Sequence, residues 1–158
     1  MDITSHQTYS FDGPVSAHQV LEKAAEIIAE RYLRGDAFCS PQATKDFVKF
    51  KLGDYEREVF AVLYLDNQHR LIEYEELFFG TINAASVYPR EVAKSSLKHN
   101  SAAVIFAHNH PSGDPSPSVS DKQITQRLKE ALALLDINVL DHIVVGESTV
   151  SLAEQGWL

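Results

Sequence analysis

The alternation of hydrophobic and polar residues first predicts a helix near the N-terminus. Residues 1–15 are polar and show no period, and Ser16 is a typical N-cap. Apolar side chains then recur at helical spacing until Gly35, at Leu21, Ala24, Ala25, Ile28 and Tyr32. The first ordered element is therefore expected to be an amphipathic helix that follows a loose arm.

A second helix and a β-hairpin are predicted next. Ser40-Pro41 is an N-cap followed by proline at the first helical position, and Gly53 ends the segment. Residues 59–65 are apolar on both faces, as in a strand that is covered on both sides. Residues 70–79 have the pattern of a returning strand after a polar turn. The two strands predict an antiparallel hairpin.

Helices and strands alternate in the rest of the chain. Pro89 opens a helix, residues 102–107 form a buried strand, and a loop rich in proline, serine and glycine leads into a further helix. The side chains expected to point inward from these two helices are Val92, Ala93, Ser96, Leu97, Ile124, Leu128, Ala131, Leu132 and Leu135. Residues 137–146 predict strand structure, with a short edge piece at 150–152. This alternation predicts an α/β sandwich.

Length and composition fit one folded domain with a short extension. The chain has 158 residues, of which 44% are hydrophobic, so it can bury one compact core. We expect an N-terminal arm and helix over residues 1–39 and a single domain over residues 40–158. Cys39 is the one cysteine, which excludes an internal disulfide and a cysteine-rich zinc site. No signal peptide or membrane-spanning run is recognisable, so the sequence favours a soluble cytoplasmic protein.

The charge balance gives no support for a nucleic-acid partner. Fourteen lysines and arginines stand against 22 aspartates and glutamates, and the formal net charge is -8. Proteins that bind nucleic acids usually carry a basic patch or stripe, whereas the basic residues here are scattered. Composition therefore offers no reason to propose DNA or RNA binding.

Two histidines and an aspartate form a candidate metal site. His108 and His110 are two residues apart at the end of a buried strand, so both point to the same side. Asp121 falls in the first turn of the next helix, where the helix dipole favours a carboxylate. Two imidazoles and one carboxylate, with a fourth position left to water, are typical of catalytic zinc. Asp114 is an alternative ligand, and Ser118-x-x-Asp121 also matches a helix capping box, which is a purely structural reason for those residues.

The spacing H-x-H-x7-S-x2-D resembles the JAMM motif of the MPN/JAB metalloprotease superfamily. Further segments resemble the RadC family of bacterial proteins: Arg57-Glu58-Val59-Phe60, Leu65-Asp66, Arg70-Leu71-Ile72, Glu76-Leu77-Phe78, Gly80-Thr81, Val87-Tyr88-Pro89-Arg90-Glu91-Val92, Ala107 to Gly113 and Leu140-Asp141-His142. The likeness covers roughly residues 40–158. The helix-hairpin-helix segment of full-length RadC is not recognisable in residues 1–39, so the chain is similar to the shorter RadC-like proteins.

The resemblance implies both a fold and a chemistry. The fold is a three-layer α/β sandwich of JAB/MPN type, a mixed β-sheet flanked by helices that is similar to the cytidine deaminase-like fold. The implied activity is hydrolysis of a peptide or isopeptide bond in a protein substrate by a zinc-activated water. Glu58 matches the catalytic glutamate at the start of the first core strand, with Glu56 as the fallback. Ser118 is implied to donate a hydrogen bond to the oxyanion.

Three other functions are compatible with parts of this pattern. One is a metal-binding scaffold without turnover, and another is an accessory role in DNA repair or recombination, which the RadC name suggests. Zinc deamination is a third, but that chemistry needs H-x-E and C-x-x-C motifs, which the sequence lacks. His142, at the start of a predicted strand, is interpreted as a core histidine and not as a ligand. The oligomeric state is left open by the sequence.

Overall fold

The computed structural model describes residues 8–33, 41–81 and 85–158. The elements within these ranges are α1 (Ala17–Leu33), α2 (Pro41–Leu52), β1 (Val59–Leu65), β2 (Leu71–Phe79), α3 (Pro89–Lys98), β3 (Ala103–Asn109), α4 (Val119–Ala133), β4 (Asn138–Val145) and β5 (Thr149–Ser151). None of these helices is both long enough and apolar enough to cross a membrane. The predicted boundaries at Gly35 and Ser40, like Cys39 and the side chain of Tyr32, lie outside the described residues.

The start of α1 follows the predicted capping pattern. The hydroxyl oxygen of Ser16 accepts the backbone N–H of Gln19 at 3.2 Å. In return, the side-chain oxygen of Gln19 accepts the backbone N–H of Ser16 at 2.8 Å. This reciprocal pair is a capping box, and the predicted N-cap is confirmed.

The strands form one mixed sheet in the order β2-β1-β3-β4-β5. β1 pairs antiparallel with β2 and with β3, β3 pairs parallel with β4, and β4 pairs antiparallel with β5. Every residue of β1 and of β3 is buried, as expected for central strands that are covered on both faces. The predicted hairpin and the short edge strand are therefore confirmed.

Helices cover both faces of this sheet. One apolar cluster joins α1 and α2 to the sheet and includes Ala25, Phe47, Val48, Leu52, Ala61, Leu63 and Ile105. The other joins α3 and α4 to the opposite face and includes Val62, Tyr64, Val92, Val104, Phe106, Leu128 and Leu132. Alternate residues of each central strand enter alternate clusters, as the pleat requires. The molecule is thus the predicted three-layer α/β sandwich.

Two leucines that were predicted to point inward are exposed. Leu97 is 57% exposed and Leu135 is 38% exposed. α3 buries Ser95 instead, because the Tyr64 hydroxyl donates a hydrogen bond to the Ser95 hydroxyl at 2.7 Å. Leu135 lies beyond the end of α4, where the chain turns, and Ile137 joins the core in its place. Both predictions were wrong because helical spacing alone does not show which neighbour a helix packs against.

The parallel pairing of β3 and β4 determines where functional side chains can meet. A connection between parallel neighbours must cross over the sheet, and here it runs through α4. The first turn of α4 therefore lies beside the carboxyl end of β3. Side chains from these two places can converge although a loop separates them in sequence.

Candidate metal centre

His108 and His110 direct their Nε2 atoms at the same space. His108 lies in β3 and is 1% exposed. His110 lies one residue beyond the strand, but its N–H still donates to the carbonyl of Val145 at 2.8 Å, which extends the pairing and fixes its direction. The two Nε2 atoms are 2.9 Å apart. Two imidazole lone pairs at this distance repel each other unless a proton or a cation lies between them.

Asp121 completes the cluster from the first turn of α4. Its Oδ1 lies 3.3 Å from Nε2 of His108, and its Oδ2 lies 3.2 Å from Nε2 of His110. The capping box is present as well, since the Ser118 hydroxyl accepts the Asp121 N–H and the Asp121 carboxylate accepts the Ser118 N–H. The structural and the metal-binding interpretations of Asp121 are therefore compatible.

The spacing of these atoms fits a divalent cation. The three ligand atoms lie within 4.8 Å of one another. In a tetrahedral zinc site with bonds of 2.0–2.1 Å, neighbouring ligand atoms are separated by about 3.3 Å. The Asp121 carboxylate lies at about that distance from each imidazole, through Oδ1 for His108 at 3.3 Å and through Oδ2 for His110 at 3.2 Å, and the 2.9 Å between the imidazoles is slightly shorter. Two imidazoles and a carboxylate suit zinc and related metals.

The charges within the cluster lower the pKa of Asp121 and raise the pKa of His110. Burial raises the pKa of Asp121, but hydrogen bonds to His108 and His110 outweigh it and hold the pKa far below its usual value. The hydrogen bond with Asp121 raises the pKa of His110 above its ordinary value, although burial opposes this. A metal ion that binds here must therefore displace a proton from His110.

Glu58 faces the cluster across a cavity of about 590 Å³. The residue directly precedes β1, and its backbone is fixed by an N–H bond to the carbonyl of Thr81 and by the N–H of Gly80, each at 2.8 Å. Burial raises the pKa of Glu58, while the nearby imidazoles of His108 and His110 lower it. Glu58 thus combines a fixed backbone with a carboxylate that holds a proton more readily than an exposed glutamate.

The two alternative acids lie less favourably. Glu56 is exposed, whereas Glu58 is one of the residues that line the cavity. The Asp114 side chain is also exposed and accepts the N–H of Ser116 at 2.9 Å. Its backbone carbonyl does contribute, because it accepts the Nδ1–H of His110 at 2.8 Å and so directs Nε2 toward His108 and Asp121. The geometry favours Glu58 over Glu56 and Asp121 over Asp114.

Ser118 and the loop before it form one wall of the cavity. The Ser118 oxygen accepts the Asp121 N–H at 3.0 Å, so the hydroxyl hydrogen is the group that it can offer to a bound molecule. The turn between β4 and β5 supports this loop, since the Glu147 N–H donates to the carbonyl of Gly113 at 2.7 Å. Gly146 permits this approach, because a Cβ at that position would overlap the same carbonyl oxygen.

Asn109 is a residue of the site that the sequence reasoning missed. It lies between the two histidines and points to the opposite face of β3. Its side-chain oxygen accepts the N–H of Val59 at 2.7 Å, and its amide donates to the carbonyls of Arg57 at 2.9 Å and Tyr55 at 3.3 Å. Asn109 therefore joins the segment that carries Glu58 to the strand that carries the candidate ligand His108. Strand alternation predicts its direction, but its partners lie some 50 residues earlier in the chain.

His142 is buried, as predicted, and also contacts a proposed ligand. Its Nε2 lies 2.7 Å from Nδ1 of His108, and its Nδ1 lies 2.5 Å from the Thr125 hydroxyl, a residue that the sequence did not single out. Burial lowers the pKa of His142 well below its ordinary value, so the ring is neutral. The parallel register, which places His142 beside Phe106 of β3, brings it near His108.

Comparison with known proteins agrees with this architecture. A family model for the RadC-like JAB domain matches residues 38–157. A UPF0758 protein of Vibrio cholerae is 65% identical over 141 residues, which cover 89% of this chain and 89% of that protein. A UPF0758 protein of Aeromonas hydrophila is 58% identical over 140 residues, which cover 88% of this chain but only 62% of that longer protein.

A third relative, from Cellvibrio japonicus, is 59% identical over 145 residues, 91% of this chain and 65% of that protein. The name UPF0758 protein, which these relatives share, states no activity. The extent of the family match and the identity to these relatives nevertheless establish the relationship. The chain belongs to the family of RadC-like JAB domain proteins.

Proposed function

We propose that this protein is a zinc-dependent hydrolase of the JAMM type that cleaves a peptide or isopeptide bond. The observation that carries the proposal is the convergence of His108, His110 and Asp121 at one end of a cavity that Glu58 also lines. Membership of the RadC-like JAB family supports the same chemistry. The substrate would be a protein or a peptide.

The three proposed ligands determine which donor atoms are offered to a metal ion. His108 and His110 would offer their Nε2 atoms, and Asp121 would offer a carboxylate whose low pKa keeps it charged. Three protein ligands with one open position are the arrangement of catalytic zinc, whereas structural zinc is closed by four. Zinc held there would supply the Lewis acidity that lowers the pKa of water and polarises a carbonyl group.

Glu58 would serve as the proton carrier. Its carboxylate takes a proton from the attacking water as the water oxygen bonds to the carbonyl carbon. When the carbon–nitrogen bond breaks, the same residue passes this proton to the leaving nitrogen, so the products are a carboxylate and an amine. The raised pKa of Glu58 suits both steps, because a very weak base accepts a proton poorly.

Ser118 would stabilise the charge that develops on the carbonyl oxygen. Its own oxygen is held by the Asp121 N–H, which fixes the position from which the hydroxyl hydrogen can be donated. A donor that is fixed in advance needs no reorganisation during the reaction. Phe60, Val87 and Ile124 add apolar surface to the cavity, which can hold the aliphatic part of a substrate.

The first experiment is the zinc content of the purified protein and of matched variants. We expect about one zinc per chain in the wild type, with loss in His108→Ala and in Asp121→Ala. Two controls should keep the metal: His18→Ala, which removes an exposed histidine of α1, and Asp114→Ala, which removes the alternative acid. Absence of zinc from the wild type after zinc is supplied and the excess removed would contradict the proposal.

Turnover separates a hydrolase from a metal-binding scaffold. A panel of peptides and isopeptide-linked proteins, followed by mass spectrometry, should yield at least one cleaved bond with the zinc-loaded wild type. The zinc-loaded Asp114→Ala variant should cleave the same bond, and the His108→Ala protein should not. A protein that holds zinc but leaves the whole panel intact would favour the scaffold.

A further inference from the structure

A buried chain of hydrogen bonds runs behind the first proposed metal ligand. Nδ1 of His108 lies 2.7 Å from Nε2 of His142, and Nδ1 of His142 lies 2.5 Å from the Thr125 hydroxyl. That hydroxyl donates to the backbone carbonyl of Asp121 at 2.6 Å. His108, His142 and Thr125 are each no more than 1% exposed, so water does not compete for these groups. The chain thus links the rear of one ligand to the backbone of another.

The last bond determines where each proton lies. A carbonyl oxygen can only accept, so the Thr125 hydroxyl donates to Asp121 and its own oxygen accepts the Nδ1–H of His142. In a neutral imidazole the other nitrogen is then an acceptor, and Nε2 of His142 accepts the Nδ1–H of His108. The Nε2 of His108 is left with a lone pair. In the opposite order Nε2 of His108 would carry a proton, which blocks a metal ion.

The ring of His142 is also held in orientation. Phe60 and Phe106 contact it edge to face, with ring centroids 5.5 Å and 5.9 Å away. Its backbone N–H donates to the carboxylate of Asp141 at 2.7 Å. Close packing of this kind restricts rotation of the ring away from His108.

We propose that His142 and Thr125 are positioning residues that set His108 in its Nδ1–H tautomer, with Nε2 free for a divalent cation. The inference rests on the proposed metal site and concerns only the placement of protons on neutral rings. Metal-ligating histidines usually donate their second N–H to a carboxylate, a carbonyl or water. Here the acceptor is a second imidazole, so the tautomer is fixed without adding charge to the site.

The test compares Thr125→Val with two matched variants. Valine keeps the shape of threonine but has no hydroxyl to donate to the Asp121 carbonyl and accept the Nδ1–H of His142. Thr125→Ser keeps the hydroxyl. Ser96→Ala is the control for simple loss of a buried bond, because the Ser96 hydroxyl donates to the carbonyl of Val92 in the same i to i−4 manner at 2.7 Å. Zinc affinity is measured by chelator competition, and the tautomer of His108 by ¹⁵N NMR of the metal-free protein.

We expect Thr125→Val to weaken zinc binding by about 10–100-fold, the range known for residues that orient metal ligands. Thr125→Ser and Ser96→Ala should stay within about threefold of the wild type. The metal-free wild type should show His108 as the Nδ1–H tautomer, and Thr125→Val should show a mixture or the Nε2–H form.

Two results would overturn this inference without touching the proposed function. One is a zinc affinity of Thr125→Val equal to that of the wild type, and the other is an Nε2–H tautomer of His108 in the metal-free wild type. The NMR measurement needs no variant, so it decides the matter even if Thr125→Val fails to fold. A wild type that binds no zinc but shows the Nδ1–H tautomer would contradict the proposed function alone.

Discussion

The two oxygens of the Asp121 carboxylate face different groups. Oδ2 accepts the N–H of Ser118 at 2.8 Å and also lies near His110, while Oδ1 faces His108. An amide in this place keeps an oxygen for the Ser118 N–H but loses the negative charge. Substitutions at Asp121 and at Ser118 can therefore separate helix capping from metal binding.

We predict that Asp121→Asn lowers zinc affinity by at least about 100-fold, more than the loss of an orienting residue would. Ser118→Ala should instead leave zinc affinity within about threefold and cost about 1 kcal/mol of folding stability, the usual cost of a lost N-cap. Chelator competition measures the first quantity and denaturant unfolding of the metal-free protein the second. An equal loss of zinc affinity in both variants would mean that capping alone organises the site.

Glu58 lines the same cavity as the three proposed ligands, so its substitution should change turnover and not zinc binding. Glu58→Gln keeps the size of the side chain but removes the base, so turnover should fall by about 10²–10⁴-fold. Zinc content should not change, because Glu58 is not one of the three ligands. Glu56→Gln, two residues earlier and exposed, is the matched control and should keep full activity. Full activity of Glu58→Gln would disprove its proposed role.

At the scale of the elements, the Asn109 side chain links β3 to the segment at the start of β1. Asn109 accepts one N–H and donates to two carbonyls, so all three bonds join the strand that carries His108 to the segment around Glu58. An aspartate at this position keeps the acceptor but turns an oxygen toward the carbonyls of Tyr55 and Arg57. The resulting repulsion should displace Glu58 more than it displaces His108 or His110.

We therefore predict that Asn109→Asp lowers the free energy of unfolding by about 1–3 kcal/mol, the usual cost of leaving a buried polar group unpaired. Turnover should fall with it, while about one zinc per chain is retained, because the ligands are carried by β3 and α4. Denaturant titration and metal analysis of the same preparation check both parts. Loss of zinc from a folded Asn109→Asp protein would show that the bond supports the ligands themselves.

The sequence predicted those elements whose pattern is local. The apolar run of β1 and the capping residues of α1 and α4 were recognisable because neighbours in sequence decide them. Leu97 and Leu135 were assigned to the wrong side, because the exposed face of a helix depends on which element packs against it. The tertiary partners of Asn109 and His142 were likewise out of reach of spacing arguments.

The candidate site divides in the same way. His108, His110 and Asp121 lie within one strand–loop–helix unit, so their spacing could predict a common site. Glu58 lies about 50 residues earlier, and only the family resemblance singled it out. Thr125 had no signal at all, since one threonine on the buried side of a helix is an ordinary core residue.

Across the whole molecule, the site joins parts that are distant in the chain. Glu58 precedes β1, His108 lies in β3 and His142 lies in β4, and these three strands are neighbours in the sheet. Asp121 adds α4 from one face. A cation bound at this junction would tie a helix to the centre of the sheet, so metal binding should stabilise the entire fold and not only the loop.

This coupling gives opposite pH dependences with and without zinc. The raised pKa of His110 means that its bond with Asp121 stabilises the metal-free fold fully below the unfolded pKa of about 6.5, and that this contribution is lost as pH rises through the folded pKa. Zinc competes with the same proton, so its affinity rises with pH. From pH 6.5 to 8.5 we predict that the melting temperature of the metal-free protein falls, while the increase caused by a fixed zinc concentration grows.

The variant His110→Gln isolates this effect from the rest of the charge. Rising pH makes an already acidic protein more negative, and the resulting repulsion lowers stability in the wild type and the variant alike. The lowered pKa of His142 acts in the opposite direction, but mainly below about pH 6.5, where the neutral ring would have to take up a proton. Burial is its largest cause and is common to both proteins. The difference between the two melting curves therefore belongs to His110. This difference in melting temperature should shrink with rising pH in the absence of zinc and widen when zinc is present. Parallel melting curves of the two proteins under both conditions would mean that His110 exchanges no proton for the metal.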